Sequence, residues 1–108
     1  MRVLIYDVET TTKNNGHPFT MSNFLVCNGW KFIREASVFD ESVTEEFIQA
    51  LYSADLVIGC NIKFDLHWIR RYGVDITKIK RVWDIQLAHF IITKQKNRFP
   101  SLNEISEY

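Results

Sequence analysis

The sequence predicts a single α/β domain built around a mixed β-sheet, and its 108 residues suit one domain. Residues 2–8 form an apolar, β-rich run that ends in charged residues, as expected for a central strand buried on both faces. Two more strand-like segments follow, and from residue 42 helical patterns alternate with short apolar strands. Three antiparallel strands, then parallel strands separated by flanking helices, give a mixed sheet.

The composition indicates a globular protein, with 46% hydrophobic and 14% aromatic residues. No run approaches the roughly 18 apolar residues of a membrane span. The first residues reach an acid too early for a signal peptide. A formal net charge of zero gives no support for binding to nucleic acid through phosphate contacts alone. Cys27 and Cys60 are far apart, outside any Cys-x-x-Cys spacing, and predict buried, free thiols in a reducing compartment, the cytoplasm.

The first half of the chain predicts an antiparallel meander of three strands. Residues 12–20 contain Asn, Gly and Pro and predict a loop after the first strand. Residues 23–28 and 30–39 look like two strands. The Asn28-Gly29 pair between them is a strong signal for a tight hairpin turn.

A capping pattern predicts the first helix. Ser42 stands three residues before Glu45, which favours a helix start that should continue to about Ala54. The short apolar run Leu56–Gly59 predicts a buried strand after this helix.

Further elements are predicted in the second half. A helix should cover residues 64–72 and stop at Gly73, and a short strand should follow near residues 81–83. Asp84 is placed to cap a third helix, and Pro100-Ser101 opens a fourth.

Three acidic residues are expected to meet at one edge of this sheet. Asp7 and Glu9 leave the first strand at i and i+2, so their side chains should share a face. Asp65 follows the strand Leu56–Gly59, and if that strand runs parallel beside the first, both exits share an edge. An Asp-x-Glu pair alone is usually surface charge, but a strongly apolar strand would not normally end in unpaired acids.

Three converging carboxylates repel each other unless cations join them. Hard oxygen ligands select Mg²⁺ or Mn²⁺. A pair of such ions about 4 Å apart is the usual device for phosphodiester hydrolysis. The acidic residues therefore predict a metal-dependent phosphodiesterase site.

Two segments resemble a known family in order and context. Residues 6–11, Tyr-Asp-Val-Glu-Thr-Thr, resemble the first motif of the DEDD superfamily of 3′→5′ exonucleases, and residues 59–65, Gly-Cys-Asn-Ile-Lys-Phe-Asp, resemble the second. Residues 83–88 look like the stretch that follows in proofreading domains of the DNA polymerase I family, and Ser101-Leu102 looks like the next helix start. The resemblance covers nearly the whole chain and implies the N-terminal part of a ribonuclease-H-like exonuclease domain, truncated at the C-terminus.

The resemblance also implies a metal-ligating role for each acidic residue. Asp7 would bridge two metal ions, Glu9 would hold the ion that activates water, and Asp65 would help to hold the second ion. The implied cofactor is a two-ion Mg²⁺ or Mn²⁺ site. All three are therefore candidate catalytic residues.

Substrate contacts are implied in the same way. The backbone at Thr10 would line the pocket for the 3′-terminal nucleotide, which Asn61 and Phe64 would flank. Lys63 would either contact a phosphate of the substrate or be a solvated surface lysine. The implied substrate is a single-stranded 3′ end of DNA.

The third motif of the superfamily is missing from the sequence. The family takes its fourth metal-binding carboxylate from Tyr-x-x-x-Asp or His-x-x-x-x-Asp, and neither spacing occurs here. A fragment or split nuclease completed by a second chain or a C-terminal segment is one explanation, and little hydrolysis by this chain alone is expected. An inactive nucleic-acid-binding or partner-binding module of the same fold is another. An RNA-trimming exonuclease is the enzymatic alternative, and self-association is expected if apolar surface is left uncovered.

Overall fold

A computed structural model describes residues 1–11 and 22–92 of the chain. Its elements in chain order are β1 Val3–Thr10, β2 Leu25–Phe32, β3 Val38–Asp40, α1 Glu45–Ser53, β4 Leu56–Gly59, α2 Ile62–Arg71, a 3-10 helix Ile76–Lys78, β5 Val82–Asp84 and α3 Ile85–Ile92. The strands form one sheet in the order β3-β2-β1-β4-β5. The predicted loop at 12–20 and the helix start at Pro100-Ser101 lie outside the described residues.

The sheet combines both strand directions. β1 pairs antiparallel with β2 and parallel with β4, while β2–β3 is antiparallel and β4–β5 is parallel. This confirms the predicted α/β fold with a mixed sheet and flanking helices, an arrangement compatible with the ribonuclease-H-like fold. Within the described ranges, no helix has the length and apolar character needed to cross a membrane.

β1 lies at the centre of the sheet with one face covered and the other open. Leu4, Tyr6 and Val8 are buried, whereas Asp7 and Glu9 on the alternate positions are exposed. The prediction of a strand buried on both faces was therefore wrong. The apolar run is continuous because it includes Ile5, whose side chain is 42% exposed on the open face.

The core lies between the covered sheet face and the helices. Phe47 of α1 is fully buried, with its ring centroid 5.8 Å from Tyr6 and 6.0 Å from Trp30. Trp68 and Ile69 of α2 are also fully buried. Burial of this amphipathic face holds α2 against the sheet, which fixes the position of the side chains in its first turn.

The predicted hairpin at Asn28-Gly29 was wrong. Both residues lie inside β2, where Gly29 pairs with Asp7 on one side and Phe39 on the other. A Cβ atom on Gly29 would come within 2.9 Å of the Phe39 ring, so the glycine reflects a close approach across the sheet. The connection to β3 instead covers residues 33–37 and includes Arg34 in the left-handed region, with φ of 74°.

The helix boundaries differ slightly from those predicted. Thr44, not Ser42, caps α1, because its hydroxyl accepts a hydrogen bond of 3.1 Å from the backbone N–H of Phe47. α2 begins at Ile62, two residues before the predicted start. Gly73 follows it with φ of 97°, which suits the predicted stop.

Arg2 links the beginning of β1 to the beginning of β4 through hydrogen bonds. Its backbone N–H donates a 2.6 Å hydrogen bond to the Asp55 carboxylate, and its carbonyl accepts from the N–H groups of Asp55 and Leu56 at 2.9 and 3.3 Å. Its guanidinium lies 3.8 Å from the ring centroid of Phe32 on β2. The chain start is thus tied to both neighbours of β1.

Candidate functional site

Asp7 and Glu9 project from the open face of β1 near its carboxyl end. Asp7 stands opposite Gly29 and Glu9 opposite Cys27 on β2, and the pairing shifts register between Glu9 and Thr10. Partial burial and then the Glu9 charge raise the pKa of Asp7, while a hydrogen bond from the Val8 backbone lowers it. The predicted pair therefore shares one face, and its charges interact.

Asp65 lies in the first turn of α2, which directly follows β4. Because β4 is the parallel neighbour of β1, this turn lies at the same end of the sheet as Asp7 and Glu9. The Asp65 side chain is buried, with 3% of its surface exposed. Burial first, and then the Asp7 charge, raise the pKa of Asp65 to about 8, although a hydrogen bond from the Val8 backbone opposes the rise.

Two buried oxygen atoms in this region lack hydrogen-bond partners among residues 1–11 and 22–92. They are Oδ2 of Asp65 and the hydroxyl of Tyr6. Burial and then the charges of Asp65 and Asp7 raise the pKa of Tyr6, so this phenol stays protonated. An unsatisfied buried carboxylate oxygen is costly and is a feature of sites that take a ligand or a cation.

The carboxylates fit a hard divalent cation in charge and in donor type. Oxygen ligands suit Mg²⁺ or Mn²⁺, and a cation would offset both causes of the raised pKa of Asp65, burial first and then the Asp7 charge. In the part of the chain that the structure describes, no three His, Cys, Asp or Glu side chains are grouped closely enough to form a ready metal site. A metal set of Asp7, Glu9 and Asp65 thus stays a prediction.

The predicted substrate-binding residues surround the same strand ends. Thr10 is the last residue of β1 and is half-buried. Asn61 precedes α2 in the left-handed conformation, with φ of 54° and ψ of 52°, and is exposed. Lys63 is exposed, whereas Phe64 is half-buried with its ring centroid 6.5 Å from that of Trp68. The substrate-binding roles of these four residues stay predictions.

Asp84 contributes more to this region than sequence reasoning expected. It immediately precedes α3 and accepts a 2.9 Å hydrogen bond from the Gln86 N–H, as a helix cap should. It also accepts hydrogen bonds of 3.0 Å from the N–H groups of Asn61 and Ile62 at the start of α2. One sequence feature could have indicated this role, namely the position of Asp84 at the end of a second parallel strand. The carboxyl end of that strand lies at the same edge of the sheet as that of β4.

An open cleft of about 260 Å³ adjoins Asp7 on the uncovered sheet face. Ile5, Lys31 and Phe39 line it together with Asp7. Phe39 is 76% exposed, so its ring presents an apolar surface in the cleft that Asp7 lines. Phe39 belongs to none of the sequence motifs, so only the structure indicates its place at the site.

Comparison with known proteins identifies a fold relationship. No family model matches the chain, and no curated protein matches it. A solved structure of the family B DNA polymerase from the hyperthermophilic archaeon Pyrobaculum calidifontis superposes with a TM-score of 0.59 at 17% sequence identity. The chain is similar in fold to part of that polymerase. The match covers 83% of this chain and 16% of the polymerase chain, and at this identity it establishes the fold alone.

Proposed function

We propose that this chain forms part of a 3′→5′ exonuclease domain that hydrolyses phosphodiester bonds at single-stranded 3′ ends of DNA. The finer assignment, to the proofreading domains of the DNA polymerase I family within the DEDD superfamily, rests on the two sequence motifs. The observation that carries the proposal is the burial of Asp65 within electrostatic range of Asp7 and Glu9. The fold similarity to a DNA polymerase supports it at the level of architecture.

Asp7, Glu9 and Asp65 are the proposed ligands of Mg²⁺ or Mn²⁺. When bound, a divalent cation supplies activation of water and stabilisation of negative charge on the phosphate. Asp65 has a pKa of about 8 without a cation and so holds its proton near neutral pH. It must release that proton before both of its oxygens can act as ligands, and cation binding is therefore coupled to pH.

The proposed path for the 3′-terminal nucleotide runs along Thr10, Asn61 and Phe64. Asn61 and Phe64 lie at the start of α2 on either side of exposed Lys63, which can approach a phosphate. Contacts of this kind act on backbone and base faces and suit a substrate of any sequence. A single-stranded end is proposed because an unpaired base can leave the stack at little cost.

The 108 residues contain neither spacing of the third motif, which would supply the fourth carboxylate of the proposed site. We propose that a second chain or a further C-terminal segment supplies it. Hydrolysis by this chain alone is expected to be weak.

The proposed compartment is the cytoplasm, in keeping with the free thiols of Cys27 and Cys60.

Metal binding offers the first test. Calorimetric titration of the chain with Mn²⁺ should show binding that weakens roughly tenfold or more in Asp7→Asn and in Asp65→Asn, because each variant removes a charged ligand. Asp75→Asn is the matched control, since Asp75 is an exposed aspartate that caps the 3-10 helix. Unchanged Mn²⁺ affinity in both site variants would overturn the proposal.

Hydrolysis offers the second test. The chain is incubated with Mn²⁺ and 5′-labelled single-stranded DNA or RNA, with and without a helical peptide that contains Tyr-x-x-x-Asp. Shortening of the DNA only with the peptide, and its loss in Asp7→Ala, supports the nuclease. Equal or better shortening of RNA would replace the DNA substrate with an RNA substrate.

A binding module of the same fold is the second candidate. It is favoured by the lack of a ready three-residue metal cluster within residues 1–11 and 22–92. Tight binding of single-stranded DNA without any product, with or without the peptide, would support it over the nuclease.

A further inference from the structure

The carboxylate of Asp84 joins the starts of two helices. Its Oδ1 accepts hydrogen bonds from the N–H groups of Asn61 at 3.0 Å and Gln86 at 2.9 Å, and its Oδ2 accepts from Ile62 at 3.0 Å. The N–H of Leu87 lies 3.4 Å from Oδ1. One side chain therefore satisfies N–H groups at the beginning of both α2 and α3, which would otherwise lack partners.

The start of α2 depends on this contribution from outside the helix. Its cap residue Asn61 makes no side-chain capping hydrogen bond and adopts the left-handed conformation, which non-glycine residues rarely adopt. Asp84 can reach it because Gly59, two residues earlier, pairs with Asp84 across the β4–β5 ladder. The strained turn between β4 and α2 is thus held from the neighbouring strand.

Asp65 belongs to the first turn of the helix that Asp84 holds. It lies three residues after Ile62, and its carboxylate accepts a hydrogen bond from the backbone of Val8 on β1. Asp65 is carried by the first turn of α2, whereas Asp7 is carried by β1. A change in the direction of that turn would therefore move Asp65 relative to Asp7. We infer that Asp84 is a positioning residue, which holds the start of α2 so that Asp65 reaches the site on β1.

This inference rests on the proposed function, and it gives Asp84 a role different from that of the three candidate ligands. Two carboxylate oxygens offer about four acceptor positions. Three N–H groups point at Oδ1 of Asp84 and one points at Oδ2, so backbone donors engage most of this capacity. These contacts give Asp84 a role that acts through the start of α2.

The variant Asp84→Ser separates the two caps. Serine can still cap α3 at this position, but its shorter side chain does not span to Asn61 and Ile62. Asp75→Ser is the matched control, because Asp75 accepts from the Thr77 N–H at 3.0 Å and caps only the 3-10 helix. Circular dichroism and thermal unfolding verify that both variants remain folded. Asp84→Asn keeps one carbonyl oxygen and serves as a milder second variant.

The first readout needs no metal. Amide hydrogen exchange at Asn61 and Ile62 should accelerate roughly tenfold in Asp84→Ser, as expected for loss of a hydrogen bond to a charged acceptor. Exchange at the Val8 amide, which donates to Asp65 as well as to the adjacent Asp7, should accelerate with it, because the substitution moves α2 and leaves Asp7 on β1 in place. Neither change is expected in Asp75→Ser. Faster exchange at Asn61 with an unchanged Val8 amide would reduce Asp84 to a simple cap and overturn the inference.

The second readout is the affinity for Mn²⁺, which should fall roughly tenfold in Asp84→Ser and stay constant in Asp75→Ser. If the wild-type chain binds no Mn²⁺, the proposed function fails while the Val8 amide still tests the positioning role. If wild-type binding is intact and Asp84→Ser binds equally well, the positioning role fails alone.

Discussion

The buried carboxylate of Asp65 at the start of α2 lies within electrostatic range of the exposed carboxylate of Asp7 on β1. The two groups come from different elements, and the parallel pairing of β1 with β4 is what brings them together. Together with burial, the Asp7 charge keeps the pKa of Asp65 near 8, so the pair avoids two adjacent negative charges at neutral pH.

Removal of the Asp7 charge should lower the pKa of Asp65. In Asp7→Asn, we expect the pKa to fall below 8 and yet to stay above 3.8, because burial is the larger cause. Carbon-13 NMR titration of the aspartate carboxyl groups measures this directly. Asp40→Asn, on the far strand β3, is the control and should leave the Asp65 titration in place. An identical midpoint in Asp7→Asn would show that the two groups do not interact.

The raised pKa of Asp65 also predicts a dependence of stability on pH. Between pH 4 and 8 the folded state holds a proton on Asp65 that the unfolded state has released, so the free energy of unfolding falls as pH rises through this window. Asp65→Asn cannot ionise, and its amide oxygen can still accept from the Val8 N–H. At pH 8 the variant should therefore be more stable than the wild type by on the order of a few kcal/mol, with a smaller difference at pH 4. Urea unfolding at both pH values checks the sign.

Thr44 and Ser42 provide a matched pair for helix capping. Thr44→Ala should lower the free energy of unfolding by about 1 kcal/mol, because it removes the hydroxyl that accepts from the Phe47 N–H at 3.1 Å. Ser42→Ala should change stability by less than about 0.5 kcal/mol, as expected for a surface position. Urea unfolding of both variants is the measurement. A larger loss of stability in Ser42→Ala than in Thr44→Ala would indicate that Ser42 caps the helix.

Gly29 and Phe39 allow a test of the corrected strand. In a Phe39→Ala background, Gly29→Ala should raise stability by about 0.5–1 kcal/mol, because alanine suits a strand interior better than glycine. With Phe39 present, the gain should shrink, since the new Cβ would meet the ring at 2.9 Å. A double-mutant cycle in urea measures the difference. A loss of stability in both backgrounds would instead indicate a turn glycine with positive φ.

The elements with a simple period were predictable from sequence. The strand Leu56–Gly59 has the predicted bounds, and the two-residue period placed Asp7 and Glu9 on one face. The location of Asp65 followed from the rule that parallel strands share an exit edge. These inferences depend on local pattern and on one pairing only.

The remaining features required tertiary contacts. Glycine in Asn28-Gly29 fits equally a turn that needs positive φ and a strand that needs space, and only the approach of Phe39 decides between them. Ser42 and Thr44 both carry a capping hydroxyl, so the local sequence leaves the helix start uncertain by two residues. The second set of hydrogen bonds to Asp84 joins residues more than 20 positions apart and has no local signature.

The contacts of Arg2 bear on where the acidic side chains point. A slip of β1 by a single residue along β4 would turn Tyr6 and Val8 outward and would bury Asp7 and Glu9 against Phe47, a very costly exchange. Arg2 opposes such a slip from the far end of the strand, because its backbone is hydrogen-bonded to Asp55 and Leu56 immediately before the ladder begins. The alignment of the acidic pair is thus set at Arg2, five residues before Asp7 and seven before Glu9, at a residue outside the candidate site.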